Sequence, residues 1–98
     1  VVAVLEHALL PVRAGSEAAF EAALAEARPL IAASPGFLSL EIRRPTAAGQ
    51  PYLLLAGWRS VEDHRDGFRR SDRYQQWRAL LHPFYDPMPA VSYFGESL

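Results

Sequence analysis

The seven residues Tyr52-Leu53-Leu54-Leu55-Ala56-Gly57-Trp58 leave no polar side chain on either parity of a strand. Successive side chains of a strand point to opposite faces, so Tyr52, Leu54, Ala56 and Trp58 serve one side of a sheet while Leu53 and Leu55 serve the other. A strand with one wet face alternates apolar with polar, whereas this one needs a cover on both sides. The first strand, expected over Val1 to Leu10, has the same character and is interrupted only by the pair Glu6-His7. A chain of 98 residues makes one domain, residues 1–98, and supplies helices for one face. Leaving several hundred Å2 of apolar sheet wet is unusual for a soluble monomer, and covering it is worth several kcal/mol at about 25 cal/mol per Å2. The pattern therefore predicts a homodimer whose two sheets pack face to face. The plainer alternative is that these are simply central, well-buried strands.

Composition narrows the function classes. Half the chain is hydrophobic and 21% is charged, which suits a globular core and not a disordered segment. The net charge of −1 gives no bulk attraction to nucleic acid or to an acidic membrane. All ten basic residues are arginine, and there is no cysteine, so disulfides, thiolate metal sites and a cysteine nucleophile are excluded. No apolar run reaches membrane-spanning length and no leader pattern opens the chain, so a cytoplasmic location is expected.

Turn and cap signals divide the rest. Pro11 and Gly15 close the first strand, and Ser16 and Glu17 suit a helix start. Phe20, Leu24, Ala27 and Ile31 then share one helical face, with a bend or early end expected at Pro29. Ser34-Pro35-Gly36 is a stop. Phe37 to Arg43 alternates, with Leu38, Leu40 and Ile42 expected on one side. Pro45 to Pro51 reads as a hairpin loop. Ser60 and Asp63 resemble a capping box ahead of a helix whose inner face carries Val61, His64 and Phe68. Gly67 weakens that helix, and Ser71 caps a third, lined by Tyr74, Trp77 and Leu81. Prolines 83, 87 and 89 end it, and Ala90 to Phe94 makes a last short strand. The order β-α-β-β-α(α)-β predicts an α+β, ferredoxin-like domain with helices on one face of a four-stranded antiparallel sheet.

On Ser34 to Ile42 (S-P-G-F-L-S-L-E-I), the Trp58-Arg59-Ser60 junction, Ser71 to Trp77 (S-D-R-Y-Q-Q-W) and Ala90 to Phe94 (A-V-S-Y-F), the chain resembles the antibiotic-biosynthesis monooxygenase family of dimeric α+β barrels. The resemblance covers almost the whole chain. It implies a homodimer with a pocket in each subunit between sheet and helices. Many members oxygenate aromatic polyketides with molecular oxygen and without metal or flavin; others degrade heme, remove signalling molecules, or have no known role. What it implies here is a cofactor-independent monooxygenase acting on a small aromatic, polyphenolic or quinol-type compound. The alternatives are a binding or stress-related module without turnover, and an isomerase or lyase.

Two histidines are candidates for the base, since imidazole titrates near neutrality and can accept a proton from a phenol. His7 shares parity with Ala3 and Leu5, and would enter the pocket if that side faces the helices. His64 occupies an inner helix slot where leucine would be ordinary. Either can also be an inert, hydrogen-bonded histidine. His82, before Pro83, is expected to face the negative end of its helix. Trp58, Phe68, Tyr74, Trp77 and Tyr93 offer aromatic walls for a flat ligand, although such residues commonly make core. Tyr74 and Tyr93 can also donate to a developing oxyanion. Two positions depart from the family: Phe68 stands where many oxygenases carry histidine or tryptophan, and Arg78 where the heme degraders need a ligand histidine. Arg65, Arg69, Arg70 and Arg73 interleave with Glu62, Asp63, Asp66 and Asp72, which reads as a solvated helix surface and not a nucleic-acid site. Three histidines without i, i+4 spacing make a poor metal site.

Overall fold

A computed structural model describes residues 3–98; Val1 and Val2, which the sequence places in the first strand, lie outside the described residues. Strand β1 (Val4–Leu10) leads to helix α1 (Glu17–Ala32), then to strands β2 (Phe37–Arg43) and β3 (Tyr52–Trp58). A π-helical segment (Asp63–Phe68), helix α2 (Asp72–Leu81) and a 3-10 turn (His82–Phe84) precede strand β4 (Val91–Phe94). The strands form one antiparallel sheet in the order β2-β3-β1-β4, the ferredoxin-like arrangement that the element order predicts.

Both helices cover the same face. Ala8 and Leu10 of β1 and Tyr52, Leu54, Ala56 and Trp58 of β3 bury against Phe20, Leu24, Ala27 and Ile31 of α1 and against Trp77 and Leu81 of α2. The opposite parity carries Leu5, His7 and Leu9 of β1, Leu53 and Leu55 of β3 and Phe94 of β4. That face has no cover among the described residues: Leu9 is 49% exposed and Phe94 54%.

Before β3 the local details differ from the sequence reading at three places. In β2 the pairing jumps from Phe37↔Trp58 to Ser39↔Gly57, leaving Leu38 as an extra residue. This bulge reverses parity, so Phe37 joins Leu40 and Ile42 against the core while Leu38 is exposed. Helix α1 passes Pro29 and runs to Ala32. Pro29 sits in the last turn, where only one backbone bond is forfeited, and its carbonyl still accepts from Ala33 N at 3.1 Å. Burial of Ile31 on the core side holds that final turn in place. Ser16 precedes α1 without a side-chain capping bond; its carbonyl accepts from Phe20 N at 2.8 Å instead.

The helix expected after β3 starts as the capping box implies, with Ser60 Oγ accepting from Asp63 N at 3.1 Å. It then widens: Arg69 N donates to His64 O, five residues back, at 2.9 Å. Such π-turns recur at functional sites because they re-aim side chains that an α-helix would place elsewhere. Ser71 caps α2 as expected, its Oγ accepting from Tyr74 N at 3.2 Å.

Candidate active site

The site begins with the register of the sheet. Glu6 pairs with Ala56 on one side and Tyr93 on the other, so the three side chains share the helix-covered face. Trp58, two residues beyond Ala56, is the diagonal neighbour of Glu6, within reach of long side chains. The small side chain of Ala56 leaves room between them, and Trp58 Nε1 donates to Glu6 Oε1 at 3.0 Å. The π-turn lowers His64 onto the same spot. Its Nε2 lies 3.3 Å from Glu6 Oε1, and its Nδ1 lies 2.6 Å from the Tyr93 hydroxyl. Glu6 is 5% exposed and His64 4%.

Burial sets the protonation of this chain of groups. It pushes the Glu6 carboxyl up from 4.5 to about 7, with the Trp58 hydrogen bond and the Arg69 charge opposing more weakly. It pushes His64 down from 6.5 to about 4, helped by the positive charge of Arg69. The 3.3 Å approach has the spacing of an ion pair, but burial disfavours both charged forms, so His64 is a neutral imidazole near neutral pH. Neutral imidazole donates through one nitrogen and accepts through the other. Nε2, facing a carboxylate oxygen, carries the hydrogen; Nδ1 accepts from Tyr93, whose phenol burial keeps protonated. Oε1 of Glu6 thus takes the Trp58 hydrogen bond and has His64 Nε2 3.3 Å away. Oε2 makes no hydrogen bond among the described residues and is not sealed off, since every fully shielded side-chain oxygen or nitrogen there has a partner.

Glu6 and His64 stand in the wall of a cavity of about 950 Å3 between the sheet and α2. Ala8, Leu10 and Leu54 line its sheet side; Phe68, Tyr74, Trp77 and Arg78 line its helical side; Tyr85, Met88 and Val91 line the end toward β4. Ring contacts hold the helical wall together, with Phe68 5.4 Å from Tyr74 and 5.7 Å from Trp77 between centroids.

Of the sequence candidates, His64, Phe68, Tyr74 and Trp77 line this cavity. Trp58 is fully buried behind Glu6, and Tyr93 abuts the site through His64. His7 is not among them. Its parity belongs to the uncovered face, where its ring meets Phe94 edge-on at 5.9 Å, because Glu6 and not His7 points toward the helices. His64 and His7 therefore do not share a cavity. His82 does line it, packed between Tyr74 and Tyr85 at 6.1 and 5.7 Å. Glu6 is the residue that sequence reasoning passed over. A carboxylate on the core parity of an otherwise apolar strand was the available signal.

The arrangement defines a class: a ferredoxin-like domain enclosing, on its helical face, an aromatic cavity with one buried acid–imidazole pair. The chain belongs to the antibiotic biosynthesis monooxygenase family, whose model matches residues 3–80. The uncharacterised protein YczJ of Bacillus subtilis is 42% identical to it over 93 residues, spanning 95% of this chain and 98% of that protein. A Bordetella bronchiseptica structure of the same family superposes with a TM-score of 0.91 at 34% identity, covering all of both chains. SnoaB, a cofactor-independent oxygenase from Streptomyces nogalater, shares the fold with a TM-score of 0.84 at 18% identity, over 100% of this chain and 96% of its own.

Proposed function

We propose that this protein is a cofactor-independent monooxygenase acting on a small aromatic, polyphenolic or quinol-type compound, with Glu6 as its base. The observation that carries this reading is the single carboxyl group in the cavity wall, hydrogen-bonded at Oε1 by Trp58 with His64 3.3 Å away, free at Oε2, and titrating at about 7. A base is most effective when its pKa lies near the working pH. Oε2 removes a proton from a phenol, or from the ring methylene it acidifies. The resulting anion gives one electron to molecular oxygen, and the radical pair closes a new carbon–oxygen bond as a hydroperoxide. For a methylene, loss of water leaves a ketone, so CH2 and O2 become C=O and H2O, and Glu6 returns its proton to the departing hydroxide. His64 and Tyr93 are positioning residues: they orient the carboxylate and stabilise its charge. Phe68, Tyr74 and Trp77 hold the ring and exclude water.

The protein works as a homodimer in this reading. Support comes from the uncovered sheet face, where Leu5, Leu9, Leu53, Leu55 and Phe94 form an apolar surface that a second copy would bury.

Oxygen consumption with anthrones and dihydroxynaphthalenes is the test. Uptake that is lost in Glu6→Gln supports the proposal. Uptake unchanged in that variant removes Glu6 from the mechanism. Binding without uptake points to a module without turnover, the reading that Phe68 in place of a polar side chain would favour, and proton exchange without uptake points to an isomerase or lyase.

A further inference from the structure

The cavity is electrostatically lopsided. Glu6 is the only acidic residue in its wall, whereas Arg69 and Arg78 both line it. Two neighbouring arginines have acidic partners, Arg65 pairing with Asp66 and Glu62 and Arg70 lying within reach of Asp66, while Arg73 donates to the neutral Ser34 Oγ. Arg69 and Arg78 form no ion pair with any described residue. Within the basic run Arg69 borders the cavity while staying exposed to solvent, its guanidinium lying 5.7 Å from the centroid of the Tyr74 ring.

Helical spacing brings the second arginine to the same wall. Tyr74 and Arg78 are four residues apart on α2, and His82 follows four further on, so all three share a side of the helix and all line the cavity. Two guanidiniums at the exposed rim and one buried carboxylate thus border the same cavity, with Arg69 near enough to Glu6 for its charge to oppose the rise in the Glu6 pKa. A ligand fits this layout when its reacting hydroxyl sits at Glu6 Oε2 and an anionic substituent sits at the rim. Arginine's planar fork suits a carboxylate in particular, because two N–H groups can meet two oxygens.

Building on the oxygenase reading above, we propose that the substrate is an aromatic acid: a hydroxylated ring bearing a carboxylate that Arg69 and Arg78 bind. Their charge also favours the phenolate that forms on deprotonation, so the same pair aids recognition and reaction.

Anaerobic titration calorimetry separates binding from turnover, using 1,4-dihydroxy-2-naphthoate and its neutral counterpart 1,4-dihydroxynaphthalene as probes. The acid should bind about tenfold more tightly or better, and that preference should fall about tenfold in Arg78→Gln and in Arg69→Gln. It should also shrink as potassium chloride is added, and it should persist in Arg70→Gln, whose side chain faces solvent beside Asp66. Unfolding midpoints confirm that each variant is folded. Equal affinity for the two probes, or a preference that survives both cavity substitutions, overturns the proposal. Oxygen uptake is measured separately. Acid preference without uptake leaves this inference standing and refutes the oxygenase; uptake with the neutral quinol and no acid preference does the reverse.

Discussion

Trp58 Nε1 donates a hydrogen bond to Glu6 Oε1 at 3.0 Å, joining the interior of β3 to the one acid that β1 sends into the core. The bond fixes which carboxylate oxygen is occupied and which is open. It also explains why Trp58, fully buried, does not itself line the cavity: its indole is the support behind the acid.

The first prediction concerns pH and activity. Glu6 is a carboxylate above about 7 and a carboxylic acid below it. As a base it works only when ionised, so kcat/KM for quinol oxidation should rise through neutrality and level off above it. Glu6→Gln keeps an oxygen for the Trp58 bond but has no basic site, and should lower kcat/KM by roughly 10²–10⁴-fold at pH 8. Stopped-flow rates across pH 5–9 check both.

The same two groups make opposite contributions to stability. Glu6 has its folded pKa raised from 4.5 to about 7, so its contribution is full below 4.5 and is lost as pH rises through 7. His64 has its folded pKa lowered from 6.5 to about 4, so its contribution is full above 6.5 and is lost as pH falls through 4. Between those limits the two slopes oppose each other, and wild-type stability should vary little from this pair. Replacing His64 with asparagine exposes the Glu6 slope. The variant's own stability should fall as pH rises from 4.5 to 7, by on the order of a few kcal/mol in total. Urea unfolding at half-unit pH steps measures this, and a variant whose stability is flat across that range would mean that Glu6 titrates normally.

Much of this architecture is readable in the sequence, and the exceptions have identifiable causes. The apolar runs of β1 and β3, the Ser71 cap and the Ser34-Pro35-Gly36 stop are local signals, and tertiary packing keeps them. Parity in β2 depends on a bulge that only pairing with β3 reveals. In β1 both parities are apolar, so the strand alone does not say whether Glu6 or His7 faces the helices; the row Ala56–Glu6–Tyr93 decides it. His64 was legible as an odd residue on an inner face, but its partners are 58 and 29 positions away and come from opposite directions along the chain, as the numbering of Glu6 and Tyr93 shows.

Tyr93→Phe tests the outer end of the Glu6–His64–Tyr93 chain. It removes the hydroxyl 2.6 Å from His64 Nδ1 and leaves a buried acceptor without its donor. Stability should drop by about 1–3 kcal/mol, the usual cost of an orphaned buried polar group. The reorientation of His64 should lower kcat more than it raises KM, because the ring acts through Glu6 and not on the substrate. Denaturant midpoints and steady-state kinetics read the two effects independently.

Phe68 distinguishes cavity wall from core. It is 1% exposed and contacts Trp58, Tyr74 and Trp77 at ring-centroid distances of 6.0, 5.4 and 5.7 Å, so it belongs to the packed aromatic cluster as much as to the cavity. Phe68→Ala should destabilise the fold by about 3–5 kcal/mol, a large share of what a domain of this size commands. Phe68→Leu keeps most of the volume and should cost far less, about 1–2 kcal/mol, while loosening the hold on a flat ligand. Thermal unfolding ranks the three proteins, and a Phe68→Ala variant as stable as wild type would show that the side chain lines the cavity without supporting the core.

The uncovered sheet face yields the last prediction. Leu9 of β1 and Phe94 of β4 point away from the helices and are about half exposed, at 49% and 54%, next to Leu53 and Leu55 of β3. Burying such a face between two copies is worth several kcal/mol at about 25 cal/mol per Å2, and one buried, unpaired charge is enough to oppose it. Sedimentation velocity should therefore give wild-type protein at twice the 10.9 kDa chain mass. Leu55→Arg should sediment at the chain mass with its helices intact by circular dichroism, since position 55 lies on the parity that the helices do not touch. If Leu55→Arg unfolds outright, Leu9→Glu is the milder probe, as Leu9 is already half exposed in the single chain. A wild-type protein that stays at the chain mass at high concentration would mean that this apolar face tolerates water and that the dimer proposal is wrong.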